Sequence, residues 1–330
     1  MLGIPIGMVA GAVISGAYFG DKLSPLSDTT NLAPAMAGGE LFSHIRYMSL
    51  TTIPSIVITL IVFLILSLTQ ETTGQADTLT LMAAINEKFT INGWLFLVPA
   101  TVILLIVKKS PPLIALLIGT LMGGIFALLF QSNILLEITQ SSTLTSEVAY
   151  RAIMDAISVS TEITTSNALL NDLFTSGGME GMLGTIWLII CAMVFGGIMD
   201  AIGALERISN ALLNWAQTTF QLFASTVASC LAINLTASDQ YLSIVIPGKM
   251  FAKAYKDRKL APENLSRTLE DSGTVTSVLI PWNTCGAYQS GVLGVGVGEY
   301  FIYAVFNWIS PFMTLLYAAF DIKIKALKEK

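Results

Sequence analysis

Four aspartates, Asp21, Asp28, Asp239 and Asp271, stand among hydroxyl and amide side chains inside or beside apolar blocks. A carboxylate ringed by neutral oxygens is a ligand set for a hard cation, and the same carboxylate can take a proton instead. Between Ser15 and Pro34, Lys22, Ser24, Ser27, Thr29 and Thr30 crowd around Asp21 and Asp28. Between Asn234 and Lys249, Ser238 precedes Asp239. After Asp271, hydroxyls at 272, 274, 276 and 277 lead to an apolar stretch that ends in Pro281-Trp282-Asn283-Thr284. An aspartate at a bilayer centre costs about 2.5 to 3.5 kcal/mol on insertion scales, so a sequence that keeps one there has a cation or proton for it to bind. The candidate oxygen ligands are Ser24, Thr29, Ser238, Thr274, Thr276, Asn283 and Thr284, and Lys22 and Lys249 are the candidates to neutralise an empty carboxylate. Each has a plainer reading: a capped turn for the first cluster, a loop-tip carboxylate for Asp239, and lysines that snorkel to the membrane surface. Glu270 is expected to face cytoplasmic water beside Arg267.

The elements that hold these residues must be membrane-spanning. The chain of 330 residues is 54% hydrophobic and 12% charged, too little polar surface to cover a soluble body. Apolar blocks run at 1–20, 48–69, 93–107, 112–130, 183–202, 218–235, 240–251, 271–296 and 299–320. Against the roughly 20 residues of a straight crossing, several are short or interrupted. Pro54, Pro99, Pro247, Pro281 and the glycines from Gly291 to Gly298 fall in or beside them, and backbone groups freed at such breaks must face protein or water. A helix breaks near Pro25 and resumes near Asp28 in this reading. The first block lacks a positive leader before Lys22 and is read as an interior segment. Leu205, Ile208, Leu212 and Trp215 predict an interfacial helix within 203–217.

Basic residues set the orientation. Lys108-Lys109, the six bases of 249–267 and the tail lysines Lys323, Lys325, Lys328 and Lys330 read as cytoplasmic, while 131–182, with six acids and only Arg151, reads as external. A net charge of -5 gives no sign of nucleic-acid binding. Cys191, Cys230 and Cys285 are too scattered for a disulfide framework or zinc cluster, and His44 cannot form a metal cage alone. Absence of a His-Glu-x-x-His motif, a nucleophile elbow and a dinucleotide fingerprint argues against a membrane-embedded hydrolase or other enzyme. No cofactor is expected beyond transported ions.

The runs Ser15 to Ala35, Gly177-Gly178-Met179-Glu180, Thr236 to Met250 and Leu269 to Ala287 make the chain resemble the C-type (NhaC-type) sodium/proton antiporter family, which includes malate/lactate exchangers. The resemblance covers the whole chain and corresponds to the later two-thirds of the family pattern. It implies an all-α multi-spanning cell-membrane protein, an inverted-repeat ion transporter with broken or re-entrant helices and an incomplete first repeat. Residues 1–130 would hold the remainder of that repeat with a broken helix at about 20–35 and the helices that follow. Residues 131–182 would be an external polar connection, and 183–330 the second repeat, broken around 236–251 and 271–298. Met1 would then be an internal methionine of a longer carrier, and the chain alone an inactive fragment.

The implied activity is exchange of external protons for internal sodium by alternating access. One or more of Asp21, Asp28, Asp239 and Asp271 would bind sodium or protons, never both, because protonation removes the charge that holds the cation. The alternative is a carboxylate exchanger, in which malate and protons enter while lactate and sodium leave, with an organic anion held at the helix N-termini after Pro25 and Pro281. The expected partners are the lipid bilayer, sodium and protons, with malate and lactate under the alternative and a second copy of the chain in a homo-oligomer. Asp239→Asn and Asp271→Asn are expected to stop exchange and spare folding, because losing a buried charge relieves desolvation. Glu263→Gln is expected to be silent.

Overall fold

The computed structural model describes residues 3–25, 27–70, 78–108, 110–165 and 168–327. Lys109, Lys328 and Lys330 of the orientation argument lie outside the described residues. Among the described residues the chain is all-helical, with two isolated β-bridges and no strand. Two compact units divide it: Gly74–Gly184, and Leu2–Thr73 with Thr185–Lys330. The latter opens with α1 (Ile6–Leu23), α2 (Asp28–Ala37) and α3 (Leu41–Thr69). The Gly74–Gly184 unit holds α4 (Thr78–Lys88), α5 (Leu97–Val107), α6 (Pro112–Phe130), α7 (Ser132–Thr139), α8 (Ser146–Ser158) and α9 (Ala168–Phe174). The chain continues through α10 (Leu183–Ala201), α11 (Ala204–Trp215), α12 (Thr219–Thr236), α13 (Gln240–Asp257) and α14 (Pro262–Leu269). A π turn at Glu270–Thr274 and a 3-10 turn at Ser277–Leu279 follow, then α15 (Thr284–Leu293), α16 (Val297–Tyr300) and α17 (Val305–Ala319).

Among the described residues four helices are long and apolar enough to cross a membrane: Leu41–Thr69, Leu113–Phe130, Glu180–Ala201 and Thr219–Thr236. Leu79–Lys88 and Gly93–Val107, bent by 86° at their break, make a fifth if counted as one span. The apolar block at 271–296 is not one helix, because the π turn, the 3-10 turn and Pro281 divide it. Pro54 and Pro247, by contrast, lie inside unbroken helices. Proline at 54 leaves the carbonyl of Leu50 without its helical donor, and the Tyr317 hydroxyl supplies one at 2.9 Å. A tertiary contact therefore keeps α3 continuous where sequence alone predicts an interruption.

The longest span, α3, is amphipathic in the sense a bilayer requires. Ile53, Val57, Leu60, Ile61 and Leu64 are exposed, whereas Thr51, Thr52, Ser55 and Thr59 are buried on the opposite face at helical spacing. α11 buries Leu205 fully and leaves Glu206 and Arg207 exposed, as its periodicity predicts. One core cluster joins Phe223, Phe251, Tyr255, Leu265 and Leu269; a second joins Ile14, Val275, Val278, Tyr300 and Phe306. α14 contributes Leu265 and Leu269 to the first cluster and the distorted segment after it contributes Val275 and Val278 to the second, so the chain passes from one core to the other at this turn.

Candidate ion-binding site

Every residue from 263 to 278 is buried, although the stretch includes Glu263, Asn264, Arg267, Glu270, Asp271 and a series of hydroxyls. A π turn opens the ordinary helical ladder, and π turns concentrate at functional sites. The carbonyls in and after it are met by side chains from neighbouring helices. Asn234 Nδ2 donates to the Gly273 carbonyl at 2.7 Å, Asn307 Nδ2 to Val275 at 2.9 Å and the Tyr300 hydroxyl to Val278 at 2.8 Å. Three elements thus hold an irregular backbone that lipid could not satisfy.

Asp271 lies in this turn and is fully buried. Lys22 Nζ, from the last turn of α1, donates to Asp271 Oδ1 in a buried ion pair. The Thr51 hydroxyl of α3 donates to Oδ2 at 2.8 Å, and the Thr314 hydroxyl of α17 donates to the same oxygen. Three helices, α1, α3 and α17, therefore converge on one carboxylate. The Lys22 ammonium also sits 5.5 Å from the centre of the Phe306 ring. Small residues bring α1 this close: a Cβ on Gly11 would stand 2.4 Å from the Tyr303 side chain. Burying a charged pair is favourable only when the remaining lone pairs are also satisfied, and the two threonines satisfy Oδ2.

The other three aspartates are more accessible than Asp271. Asp21 is exposed on α1 and lines a cavity of about 460 Å³ with Tyr18, Gln240, Thr284 and Cys285. Asp28 is exposed in the first turn of α2, near Asp21 and Tyr241. Asp239 is half-buried and caps α13, accepting from the Leu242 N–H at 3.0 Å; it lies near Tyr241 and Cys285. The three carboxylates form an acidic mouth, and Asp271 stands apart from it, inside.

Several of the candidate oxygen ligands hold the breaks themselves. Asn283 caps α15 by accepting from the Cys285 N–H at 3.1 Å and donates to Asn234 Oδ1 at 3.1 Å. The Thr276 hydroxyl accepts from Asn234 at 3.1 Å and donates to the Ser272 carbonyl. Thr284 donates its N–H to the carbonyl of Ser238, which is buried with φ at 60°. Ser24 ends α1, its N–H bonded to the Asp21 carbonyl. Thr29 is buried, 3.1 Å from the Ser27 hydroxyl, and Thr274 is buried with its hydroxyl unpartnered. Lys249 is exposed on α13 and forms no ion pair with the described residues.

Three expectations are corrected. Glu270 does not face water; it is fully buried and both carboxylate oxygens lack a hydrogen-bond partner. Arg267 is not an orientation charge. It is fully buried, its three side-chain nitrogens lack hydrogen-bond partners, and it stacks 4.6 Å from the Tyr47 ring centre and 5.7 Å from that of Tyr317. Glu263 is not a silent surface acid: it is buried, pairs with Lys325 and accepts from the Ser43 hydroxyl at 2.5 Å. Burial pushes the Glu263 carboxyl up, but the hydrogen bonds from Lys325 and Ser43 outweigh it and hold the group below its usual range. Thr51 and Thr314, the hydroxyl partners of Asp271, are not singled out from the sequence, and Glu270 is read there as facing water. Only the Thr51-Thr52-Ser55-Thr59 spacing within an apolar helix gave a signal for them.

The family model for the Na+/H+ antiporter family matches residues 16–322. The chain belongs to the Na+/H+ antiporter family. It is 37% identical over 325 residues to the Na(+)/H(+) antiporter NhaC of Alkalihalophilus pseudofirmus, covering 98% of this chain and 67% of that protein. To the Na(+)/H(+) antiporter NhaC of Bacillus subtilis it is 34% identical over 316 residues, 95% of the chain and 67% of the relative. The Malate-2H(+)/Na(+)-lactate antiporter of Bacillus subtilis is 34% identical over 313 residues, 94% and 63% respectively. No solved structure matches the chain. Like its family, this is a multi-pass membrane protein, in agreement with its four to five apolar spans.

Proposed function

We infer that this protein is a secondary transporter exchanging sodium for protons, and that the Lys22–Asp271 pair performs the exchange. The observation that carries the reading is a fully buried carboxylate held by one ammonium and two hydroxyls, an arrangement in which sodium can replace the ammonium. With sodium absent, Lys22 neutralises Asp271. A sodium ion arriving at Asp271 takes over that role, with Thr51 and Thr314 turning their hydroxyl oxygens toward it. Lys22 is then a lone ammonium in a site sealed from water and sheds its proton rather than stay charged. Return of the proton to Lys22 expels sodium. The buried site stays neutral throughout, so each sodium bound releases one proton.

The acidic mouth formed by Asp21, Asp28 and Asp239 draws cations toward this pair by its field. An inverted-repeat design is supported by two breaks of the same form. Pro25 and Pro281 each stand second in a break of four residues, and Ser27 and Asn283 stand last and cap the helix that follows. Both caps share extended backbone, φ -69° and ψ 135° at Ser27 against φ -73° and ψ 146° at Asn283. The break before α2 and the break before α15 would be the paired half-helix junctions of the two repeats. Lys108 and the basic end of α13 would face the cytoplasm.

A second reading adds an organic acid as co-substrate. It rests on a cavity of about 610 Å³ lined by Glu40, Arg46, Lys323 and Lys325; with Lys325 paired to Glu263, Arg46 and Lys323 outweigh Glu40 and suit a carboxylate. The experiment is reconstitution in vesicles with an imposed sodium gradient and a pH dye inside. Proton movement opposite to sodium is expected without organic acid. No proton movement at any pH, with or without malate and lactate, refutes the exchange; movement only when they are present selects the second reading.

A further inference from the structure

Glu270 is the one carboxylate near the pair whose role the exchange of Lys22 for sodium leaves open. It is 0% exposed, and neither oxygen has a hydrogen-bond partner. An ionised carboxylate in that state would bear a desolvation cost that no completed hydrogen bond offsets. Its neighbours are oxygens and charges of a particular kind. The hydroxyls of Thr274, on its own turn, and of Thr29, on α2, lie beside it, with the Lys22 ammonium and the Asp21 carboxylate within electrostatic reach. Thr274 is 1% exposed and its hydroxyl is likewise unpartnered. Thr274 and Thr29 interact with the Glu270 carboxyl without reaching hydrogen-bonding geometry, so an acceptor and a hydroxyl share a buried place and neither completes a bond. Asp21, at the wall of the 460 Å³ cavity, links that place to the exposed mouth.

We propose that Glu270, with the hydroxyls of Thr29 and Thr274, is a second monovalent-cation site, lying between the acidic mouth at Asp21 and the Lys22–Asp271 pair. This rests on the sodium/proton reading above. One buried carboxylate and neutral hydroxyls balance a single positive charge; no group of three or more His, Cys, Asp or Glu that could hold a metal ion occurs among the described residues, which sets the site apart from a divalent one. A cation here neutralises Glu270 and supplies the partner that its oxygens and the Thr274 oxygen lack. It also cancels the attraction between the Glu270 carboxylate and the Lys22 ammonium, so occupation of the second site makes that charge less stable there and helps release Lys22 from Asp271. Sodium would therefore bind in series, first at Glu270 and then at Asp271.

The test is equilibrium binding of radioactive sodium to the purified protein in detergent at alkaline pH, beside exchange assays in vesicles. The wild type is expected to bind sodium in two components. Glu270→Gln should lose one and Asp271→Asn the other, with the double variant binding none. Glu270→Asp, which keeps a shortened carboxylate, should retain both with the first weakened by about tenfold, the scale of one charge-assisted contact. Thr274→Val supplies the same measurement without touching a charge if Glu270→Gln does not fold, and it too should weaken the first component about tenfold. Binding by Glu270→Gln equal to the wild type, or by Thr274→Val with unchanged affinity, overturns the second site while leaving sodium/proton exchange standing. Absence of sodium-driven proton movement in the wild type overturns the exchange itself, and the two failures are thereby distinct.

Discussion

Residues Leu113–Phe130 of α6 and residues 263–278 are stretches of comparable length with opposite fates. The first is apolar except for Thr120 and only 6% of it is buried; the second carries three acids, an arginine and several hydroxyls, and is buried at every position. In water the assignment would be reversed, because burying apolar surface is what drives folding there. In lipid, apolar side chains lose nothing by facing outward, and polar groups find partners only within the protein. α12, half of whose span is buried, stands between these extremes: its inward face carries Ser225, Ser229 and Asn234. Burial in this protein therefore marks where polar chemistry is gathered.

The contrast breaks most sharply at the ion pair. Lys22→Met leaves Asp271 buried and unpaired, a loss of about 3–5 kcal/mol, while Lys22→Met with Asp271→Leu removes both charges and is expected to regain most of the stability. Thermal unfolding in detergent measures both, and exchange should be absent from both. By the same reasoning Asp271→Asn lowers the stability of the folded protein, where the sequence-based expectation is of no cost, because it strands Lys22. A single variant as stable as the wild type would show that the pair does not organise the segment.

A smaller effect is expected from Thr51→Val, which keeps the shape of the side chain and removes one donor to Asp271 Oδ2. The loss should be about 1.5 kcal/mol in the same melt, the scale of a hydrogen bond to a charged group. Vesicle assays should show exchange surviving with altered sodium affinity, and unchanged affinity would remove Thr51 from the site.

The Gly74–Gly184 unit offers the weaker ion pair for comparison. Lys88 Nζ donates to Glu137 at 2.9 Å, with both side chains partly exposed, and Thr164 adds a bond at 3.1 Å. Burial raises the Glu137 carboxyl, but hydrogen bonds from Lys88 and Thr164 outweigh that and hold it below its usual range. A depressed carboxyl contributes stability above its unfolded value and loses it as pH falls through the folded one. Glu137→Gln is thus expected to cost no more than about 1 kcal/mol near neutral pH and nothing in strong acid, which hydrogen exchange of α7 followed against pH would reveal. A cost like that of Lys22→Met would erase the distinction between the inner and outer pairs. Smallest of all, Leu117→Ile on the exposed face of α6 should shift the melt by less than about 0.5 kcal/mol; a larger loss would mean that this face packs against protein rather than lipid.

The sequence by itself determined the bilayer as solvent, the helical class and the family, since apolar block lengths and the runs around Asp21 and Asp271 are local properties. It also made Asp271 a candidate, and the break at Pro25, because hydroxyls at fixed spacing and a proline with a capping serine act within a few residues. Which carboxylate is buried was decided by tertiary structure. Asp21 and Asp271 look alike in composition of their surroundings, yet one opens on a cavity and the other is closed in by α1, α3 and α17. Continuity of α3 through Pro54 likewise depends on Tyr317, more than two hundred residues away. The inward turn of Glu270, and the pairing of Lys22 with Asp271 rather than with its own neighbour Asp21, follow from how the helices pack. Helical periodicity tells which residues share a face; only the packing of helices against one another decides whether that face meets lipid, water or a charge from a distant part of the chain.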